Sequence, residues 1–298
     1  MKRSTKNLLF LLLILIGIGL FVYPLVSNYL FAKNASDAMQ DFDNLVEEAD
    51  EETLARLWQE AVSYNESLEG NPVKDPFLKG SGMVMAENYS QVLNLSGSGV
   101  MGYVSIPKIG VRLSIHHGTS EAVLLQGIGH LEGSSLPIGG PDSHSVLTGH
   151  TGLARAKMFT DLNKLAEGDL FYLHILNQTL AYKVDQIKVV LPEDTTDLRR
   201  ESGQDYCTLV TCTPLGVNSH RLLVRGARTE YVPEIEEQQI RDSSPSAQWF
   251  TPANMLIGLA IGLVAAIVII ILIILKRKKR RERKRYWWDE ILAENEKA

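Results

Sequence analysis

Cysteine is scarce. The 298 residues contain two, Cys207 and Cys212, so at most one internal disulfide is available. They stand five apart in DYCTLVTC, a stretch of strand composition. That odd separation puts them on opposite faces of a strand, with Cα atoms about 16 Å apart, whereas a disulfide needs less than about 7 Å. Free thiols are therefore expected. No Gly-rich phosphate loop, no cluster at metal-ligand spacing and no papain-type cysteine signature occurs, which leaves nucleotide, metal and papain-like readings without a motif. Internal repeats are lacking, and low-complexity sequence is confined to the basic run KRKKRRERKR, Lys276 to Arg285.

Charge is also absent from two long stretches. Residues 7–32 and 255–275 carry none, and each is long enough to cross a hydrocarbon core, which needs about 20 residues. Lys2, Arg3 and Lys6 precede the first run and the basic run follows the second. Basic flanks stay on the cytoplasmic side, so both termini are expected inside and residues 33–253 outside. The first run has the shape of a secretory signal. Its length, and the lack of a small-x-small cleavage site, favour a retained signal anchor over a cleaved one. Pro24 is expected to kink or end that helix. The basic tail reads as a stop-transfer signal, with anionic lipid binding or a cytoplasmic partner as alternatives.

The segment between the apolar runs holds 17 Lys+Arg against 30 Asp+Glu, a net of −13, while the tails carry +8, together the chain's −5. A net-acidic outer segment argues against nucleic acid as a partner.

Gly and Pro are missing from Ala35 to Ser67. Met39, Phe42, Leu45 and Val46 recur there at helical spacing, as do Leu54, Leu57, Trp58, Ala61 and Val62, which predicts one or two amphipathic helices. LEGNPVKDPFLKGSG (68–82) has loop composition. From Gly99 the pattern changes to short alternating runs: MGYVSIPKI, VRLSIHHG, SHSVLTGH, DLFYLHIL, TLAYKVDQIKVVL, DYCTLVTC and HRLLVRGAR. Helical stretches at about Glu121–Gly127 and Lys157–Leu165 interrupt them. The pattern predicts a mainly β, closed or sandwich-like domain. The division is a basic start and anchor (1–32), N-terminal helices and loop (33–98), β domain (99–229), polar tether (230–254), second apolar helix (255–275) and basic tail (276–298).

Three side chains stand out for chemistry. Cys212 lies at a strand end, a rim position that meets both scaffold and solvent, and a thiolate there needs a cation or acid/base partner. Arg221 follows after TPLGVNSH, whose Gly216 and Asn218 favour a turn, so the two are expected on either side of one connection. A guanidinium has five fixed donors for a carbonyl or an oxyanion. His150, in SVLTGHTGL, sits at another strand end and can exchange a proton near neutral pH. The plain alternatives are a buried cysteine, which suits Cys207, and a surface arginine, which suits Arg225 and Arg228, although Arg225 shares a face with Arg221. Of the seven histidines, His116, His117 and His174 fall in strand-like runs and His130 and His144 in loops. Structural or surface roles are expected for all five, and His220 should face away from Arg221. Residue reasoning alone ends at this candidate Cys/His/Arg set.

TLVTC (Thr208 to Cys212), with His150 in LTGH and Arg221 nine residues after Cys212, resembles the three-part signature of sortases. Asp75-Pro76-Phe77 is similar to the Asp-Pro-aromatic lid motif of the class C, pilus-assembling branch. GHLEGSSLPIGG (129–140), TCTPLGVNSHRLLVRG and the apolar segment at each end are also similar to that branch. Leu215 stands where relatives often carry an aromatic. The resemblance implies an eight-stranded β-barrel with N-terminal helices, a membrane location and Gram-positive surface chemistry. It implies Cys212 as nucleophile, His150 as acid/base, Arg221 as oxyanion stabiliser and Asp75, Pro76 and Phe77 as an autoinhibitory lid, with Asp75 on Arg221 and Phe77 over Cys212. The partners implied are pilins with LPxTG-like sorting signals, an acceptor pilin lysine and membrane lipids. No metal or organic cofactor is implied. The alternatives are a housekeeping cell-wall-anchoring sortase, a membrane-tethered cysteine peptidase and a non-catalytic scaffold.

Overall fold

The computed structural model describes residues 3–68, 75, 77, 88–153, 156–243, 258 and 262. Pro76, nearly all of the second apolar run and the basic tail lie outside the described residues. The chain forms two compact units, Met1–Ser243 and Ser244–Ala298. The first holds the β domain and the helices packed on it.

Helix α1 spans Arg3–Glu48 and continues through Pro24, so the proline does not end it. Within it, Ile14–Glu48 is long and apolar enough to cross a membrane by length and composition. The barrel meets α1 earlier than the edge of the apolar run suggests: Asn28 Oδ1 accepts from the Lys157 amide at 3.0 Å. Further on, Met39 and Phe42 are buried against Tyr103, with the Phe42 and Tyr103 rings edge to face at 6.4 Å. Helix α2 (Glu51–Ser67) starts where Asp50 caps the Thr53 amide at 2.7 Å, with Glu51 and Glu52 in the positive first turn. It buries Leu54, Leu57, Ala61 and Tyr64, the one-face spacing read from the sequence. Asn65 then exchanges two hydrogen bonds with the backbone of Leu136.

Eight strands follow: β1 (Val100–Ile106), β2 (Val111–His117), β3 (Ile128–His130), β4 (Ser143–Thr148), β5 (Leu170–Ile175), β6 (Gln178–Val190), β7 (Asp205–Thr213) and β8 (His220–Thr229). They close into a barrel in the order β1-β2-β3-β4-β7-β8-β6-β5. Two contacts are parallel, β2 with β3 and β4 with β7. The interior is apolar, filled by Val104, Ile115, Leu147, Phe171, Leu209, Val224 and their neighbours; each such side chain contributes about 1.5–3 kcal/mol on burial. A separate apolar patch lies on the outer wall: Leu131, Val146, Leu198, Val210 and Leu223, with Phe77 and Val190 packed on it. Alternation along β4, β7 and β8 generates both faces. Leu147, Leu209 and Val224 point in, while Val146, Val210 and Leu223 point out.

Several expectations change. The stretch around 121–127 is helical only as α3, Glu121–Leu124, and β3 begins at Ile128. The predicted helix at 157–165 is a single 3-10 turn, Leu162–Lys164, because Met158 takes a positive φ of 42° and breaks the run. His130 and His144 lie in β3 and β4 rather than in loops. The polar stretch after the barrel contains a helix, α4 (Pro233–Ser243), which starts on a proline. It is held on the barrel: Glu236 is buried and bonded to His174 and Tyr231, and Tyr172 donates to Gln239.

Candidate active site

The motif TLVTC is a run of separate structural jobs on β7. Thr208 bonds His144 Nε2 at 2.7 Å, and Leu209 enters the core. Val210 faces the outer patch, and Thr211 donates to the carbonyl of Gly149 at 2.7 Å. Cys212, one residue before the strand ends at Thr213, is half-buried and free. Cys207 points the other way, buried in the core, so the two thiols lie on opposite faces as the alternation requires.

Two neighbours bring chemistry to Cys212. On one side β8 runs antiparallel, and Cys212 stands directly opposite Arg221. On the other, β4 runs parallel with Thr148 paired to Val210. The Gly149 amide continues that ladder by donating to the Val210 carbonyl at 3.1 Å, which carries His150 to the level of Cys212. Gly149 is needed here: a Cβ would meet the Phe159 ring at 2.7 Å and Ile128 at 3.0 Å. The His150 carbonyl accepts from the Phe159 amide at 3.0 Å, so the backbone bearing the imidazole is fixed from both sides.

Arg221 is buried, with Nη1 donating to the carbonyls of Asn218 and His220 in its own turn. Its remaining edge meets Asp75 in a two-pronged pair, Nε to Oδ1 at 2.8 Å and Nη2 to Oδ2 at 2.7 Å. Asp75 is only 4% exposed. Fork-to-fork geometry of this kind is the strong form of a charge pair. Phe77 lies between the other two groups, 5.0 Å under the Arg221 guanidinium and 5.9 Å from the His150 ring. The Phe77 ring, expected over Cys212, is found against the imidazole and the guanidinium.

Burial pushes the Cys212 thiol pKa up, and the carboxylate of Asp75 adds to that, while Arg221 opposes both. With Asp75 in place the thiol is held toward its protonated, unreactive form. The hydrogen bond and charge of Asp75 outweigh desolvation at Arg221 and keep the guanidinium firmly ionised.

The other histidines are engaged in hydrogen bonds of their own. His130 bridges Tyr89 and the Ser135 carbonyl, and burial lowers its pKa to about 4, so it stays neutral. His117 bonds the carbonyls of Gly99 and Val92. His116 bonds Ser114, and His220, paired opposite Thr213, bonds Ser219. Arg225, on the face of Arg221, pairs instead with Asp185. One residue near the site escaped the sequence reading: Glu121 of α3, whose Oε2 lies 3.5 Å from His150 Nε2. Nothing local marks an exposed glutamate at a helix start as anything but helix-favouring.

A thiol, an imidazole and a guanidinium on neighbouring strand ends, with an apolar patch on the outer wall of the same strands, suit acyl transfer from a peptide. Known proteins carry the same frame. A family model described as the Sortase domain matches residues 104–229. The solved structure of sortase C-1 from Actinomyces oris is 49% identical, covering 59% of this chain and 99% of that one, with a TM-score of 0.57. The pilus-related Sortase C of Group B Streptococcus is 45% identical, covering 65% of this chain and 97% of that one, with a TM-score of 0.60.

This chain belongs to the sortase family.

Within the family, the relation to Sortase A of Bacillus anthracis is more distant: 29% identity over 127 residues, 43% of this chain and 59% of that protein. The solved sortases named above are sortase C enzymes, matched over 59% and 65% of this chain.

Proposed function

We propose that the protein is a membrane-anchored cysteine transpeptidase that cleaves an LPxTG-like sorting signal between Thr and Gly and joins the acyl group to a pilin lysine, polymerising pilus subunits. The observation that carries this reading is the register across three strands: Cys212 opposite Arg221, with His150 brought level by the parallel neighbour.

In the proposed reaction the Cys212 thiolate attacks the Thr–Gly carbonyl. Arg221 donates to the oxyanion, and His150 protonates the leaving amine of Gly, leaving a thioacyl-enzyme. A lysine amine from a second pilin then attacks the thioester, His150 takes its proton, and the thiolate departs as the isopeptide forms. The outer apolar patch of Leu131, Val146, Val210 and Leu223, uncovered when Phe77 leaves, would offer an apolar floor for the signal.

Asp75 and Phe77 act here as a lid. Asp75 occupies the guanidinium edge that the oxyanion needs, and Phe77 lies on the imidazole and the outer apolar patch. Activation requires that loop to leave. Residues 7–32 and 255–275 serve as two membrane spans, with both termini cytoplasmic and the barrel extracellular. The apolar α1 and the basic flanks support that arrangement. Tethering enzyme and substrate to one surface raises their effective concentration.

The test uses the full chain in detergent with pilins bearing LPxTG-like signals, read by mass spectrometry. An isopeptide-linked species and a trapped thioacyl adduct on Cys212 are expected, both lost in Cys212→Ala. A free-acid product alone would identify a peptidase. Normal turnover by Cys212→Ala would remove the assignment.

A further inference from the structure

We infer that Glu121 is a positioning residue for His150, fixing the proton on Nε2 so that Nδ1 is the nitrogen that exchanges protons. The inference rests on the transpeptidase reading for its consequence but not for its geometry. His150 Nε2 is buried and has no hydrogen-bond partner in this lid-closed arrangement. A buried nitrogen left in that state is unfavourable by about 1–3 kcal/mol, and such groups usually mark a poised or switching contact. The carboxylate of Glu121 stands 3.5 Å away, close enough for charge attraction and slightly too long for a good bond.

The scaffold holds Glu121 there. Ser120 caps α3 by accepting from the Val123 amide. Leu124 is buried, and its side chain comes close over Gly129 of β3, where a Cβ would meet it at 3.1 Å. Gly129 pairs with Thr148 of β4, two residues before His150. The helix start and the imidazole are therefore linked through two adjacent strands. Glu121 is 74% exposed against 19% for His150, so the carboxylate arm can swing while the ring cannot. The Phe77 ring lies 5.9 Å from the imidazole, and the exposed carboxylate needs only a small movement to close the bond to Nε2. In neutral histidine the partner of one ring nitrogen decides which nitrogen carries the proton. An anionic acceptor at Nε2 selects the Nε2–H form and leaves the Nδ1 lone pair as the base.

The experiment has two readouts on the full chain in detergent, in a Phe77→Ala background. Nitrogen-15 NMR of the His150 ring, assigned by loss of its signals in His150→Gln, reports the tautomer whether or not the protein turns over. The expected result is an Nε2–H signature that becomes mixed in Glu121→Ala and returns in Glu121→Gln, whose amide oxygen still accepts. Steady-state transfer should show kcat falling about tenfold in Glu121→Ala with KM for both substrates unchanged, and partial recovery in Glu121→Gln; the effect sits below the usual range for an acid/base group because the carboxylate is exposed. An unchanged tautomer in Glu121→Ala overturns the inference, as does an effect confined to the acceptor KM. Absence of transfer by the parent chain, with the tautomer shift intact, would instead defeat the transpeptidase reading.

Discussion

β8 carries two arginines in nearly the same local setting, two pleat repeats apart on one face. Arg221 is gripped by Asp75 and lies 5.0 Å from the Phe77 ring. Arg225 is gripped by Asp185 in the same two-pronged way and lies 4.1 Å from the Tyr206 ring. The chemistry of the contacts does not separate them. The origin of the partners does. Asp185 and Tyr206 belong to the neighbouring strands β6 and β7, and holding Arg225 is part of closing the barrel. Asp75 and Phe77 precede the first strand, Asp75 being 146 positions from Arg221 in sequence. An arginine clamped by the scaffold is structural. One clamped from outside the barrel, by the lid proposed above, is a group whose other occupants matter.

The largest effect that sharpens this contrast is on transfer itself. Arg221→Ala should lower kcat by about 10²–10³, the usual loss on deleting an oxyanion donor, and should also lose about 1–3 kcal/mol of stability because Asp75 is left buried and unpaired. Arg225→Ala should keep near-normal kcat per folded molecule and lose about 1–3 kcal/mol in denaturant unfolding, the effect of stranding a charged hydrogen-bond partner. Equal losses of kcat at both positions would erase the distinction.

Removing the carboxylates comes next. Alkylation reports the thiolate of Cys212, so its rate climbs with pH, with a midpoint above the ordinary thiol range of about 8.5 because burial and Asp75 both raise it. Asp75→Ala deletes one upward influence and leaves the Arg221 cation, so the midpoint should fall and alkylation at pH 7 should quicken about threefold to tenfold. Asp185→Ala should leave the curve where it is. An unchanged rate in Asp75→Ala would make the Asp75 loop an ordinary turn.

The smallest effect concerns the rings. Phe77→Ala should speed alkylation by a few fold through access alone, without moving the pH midpoint, since a phenyl ring carries no net charge. Tyr206→Ala should change stability rather than reactivity. A midpoint shift in Phe77→Ala would mean that the ring holds Asp75 in place.

Seven of the strands announce themselves in the sequence by alternation, and the opposite orientation of Cys207 and Cys212 comes from counting. β3 escaped because three residues, Ile128–His130, are too few to show a period. Helix α4 escaped for a different reason. It docks through Glu236 on His174 and Gln239 on Tyr172, and a hydrophobic pattern is blind to a helix seated on hydrogen bonds. At the site, the residue types and spacing were readable. The Asp75–Arg221 pair followed from the family motif, whereas Glu121 became visible only once β3 and β4 lay side by side. The helix read at 157–165 failed on Met158, whose left-handed backbone no composition rule anticipates.

The hydrogen bond between Asn28 and the Lys157 amide sets the height of the chemistry above the proposed anchor. Lys157 belongs to the segment that leaves His150 and returns to it through Phe159, so the loop bordering the thiol rim is stapled to the end of the apolar part of α1. Under the membrane arrangement proposed above, with the preceding residues in lipid, the rim that carries Cys212 would open close to the level of the phospholipid headgroups. In that proposed arrangement a substrate still rooted in the same leaflet would offer its cleavage point at that depth, while one already released would pass overhead.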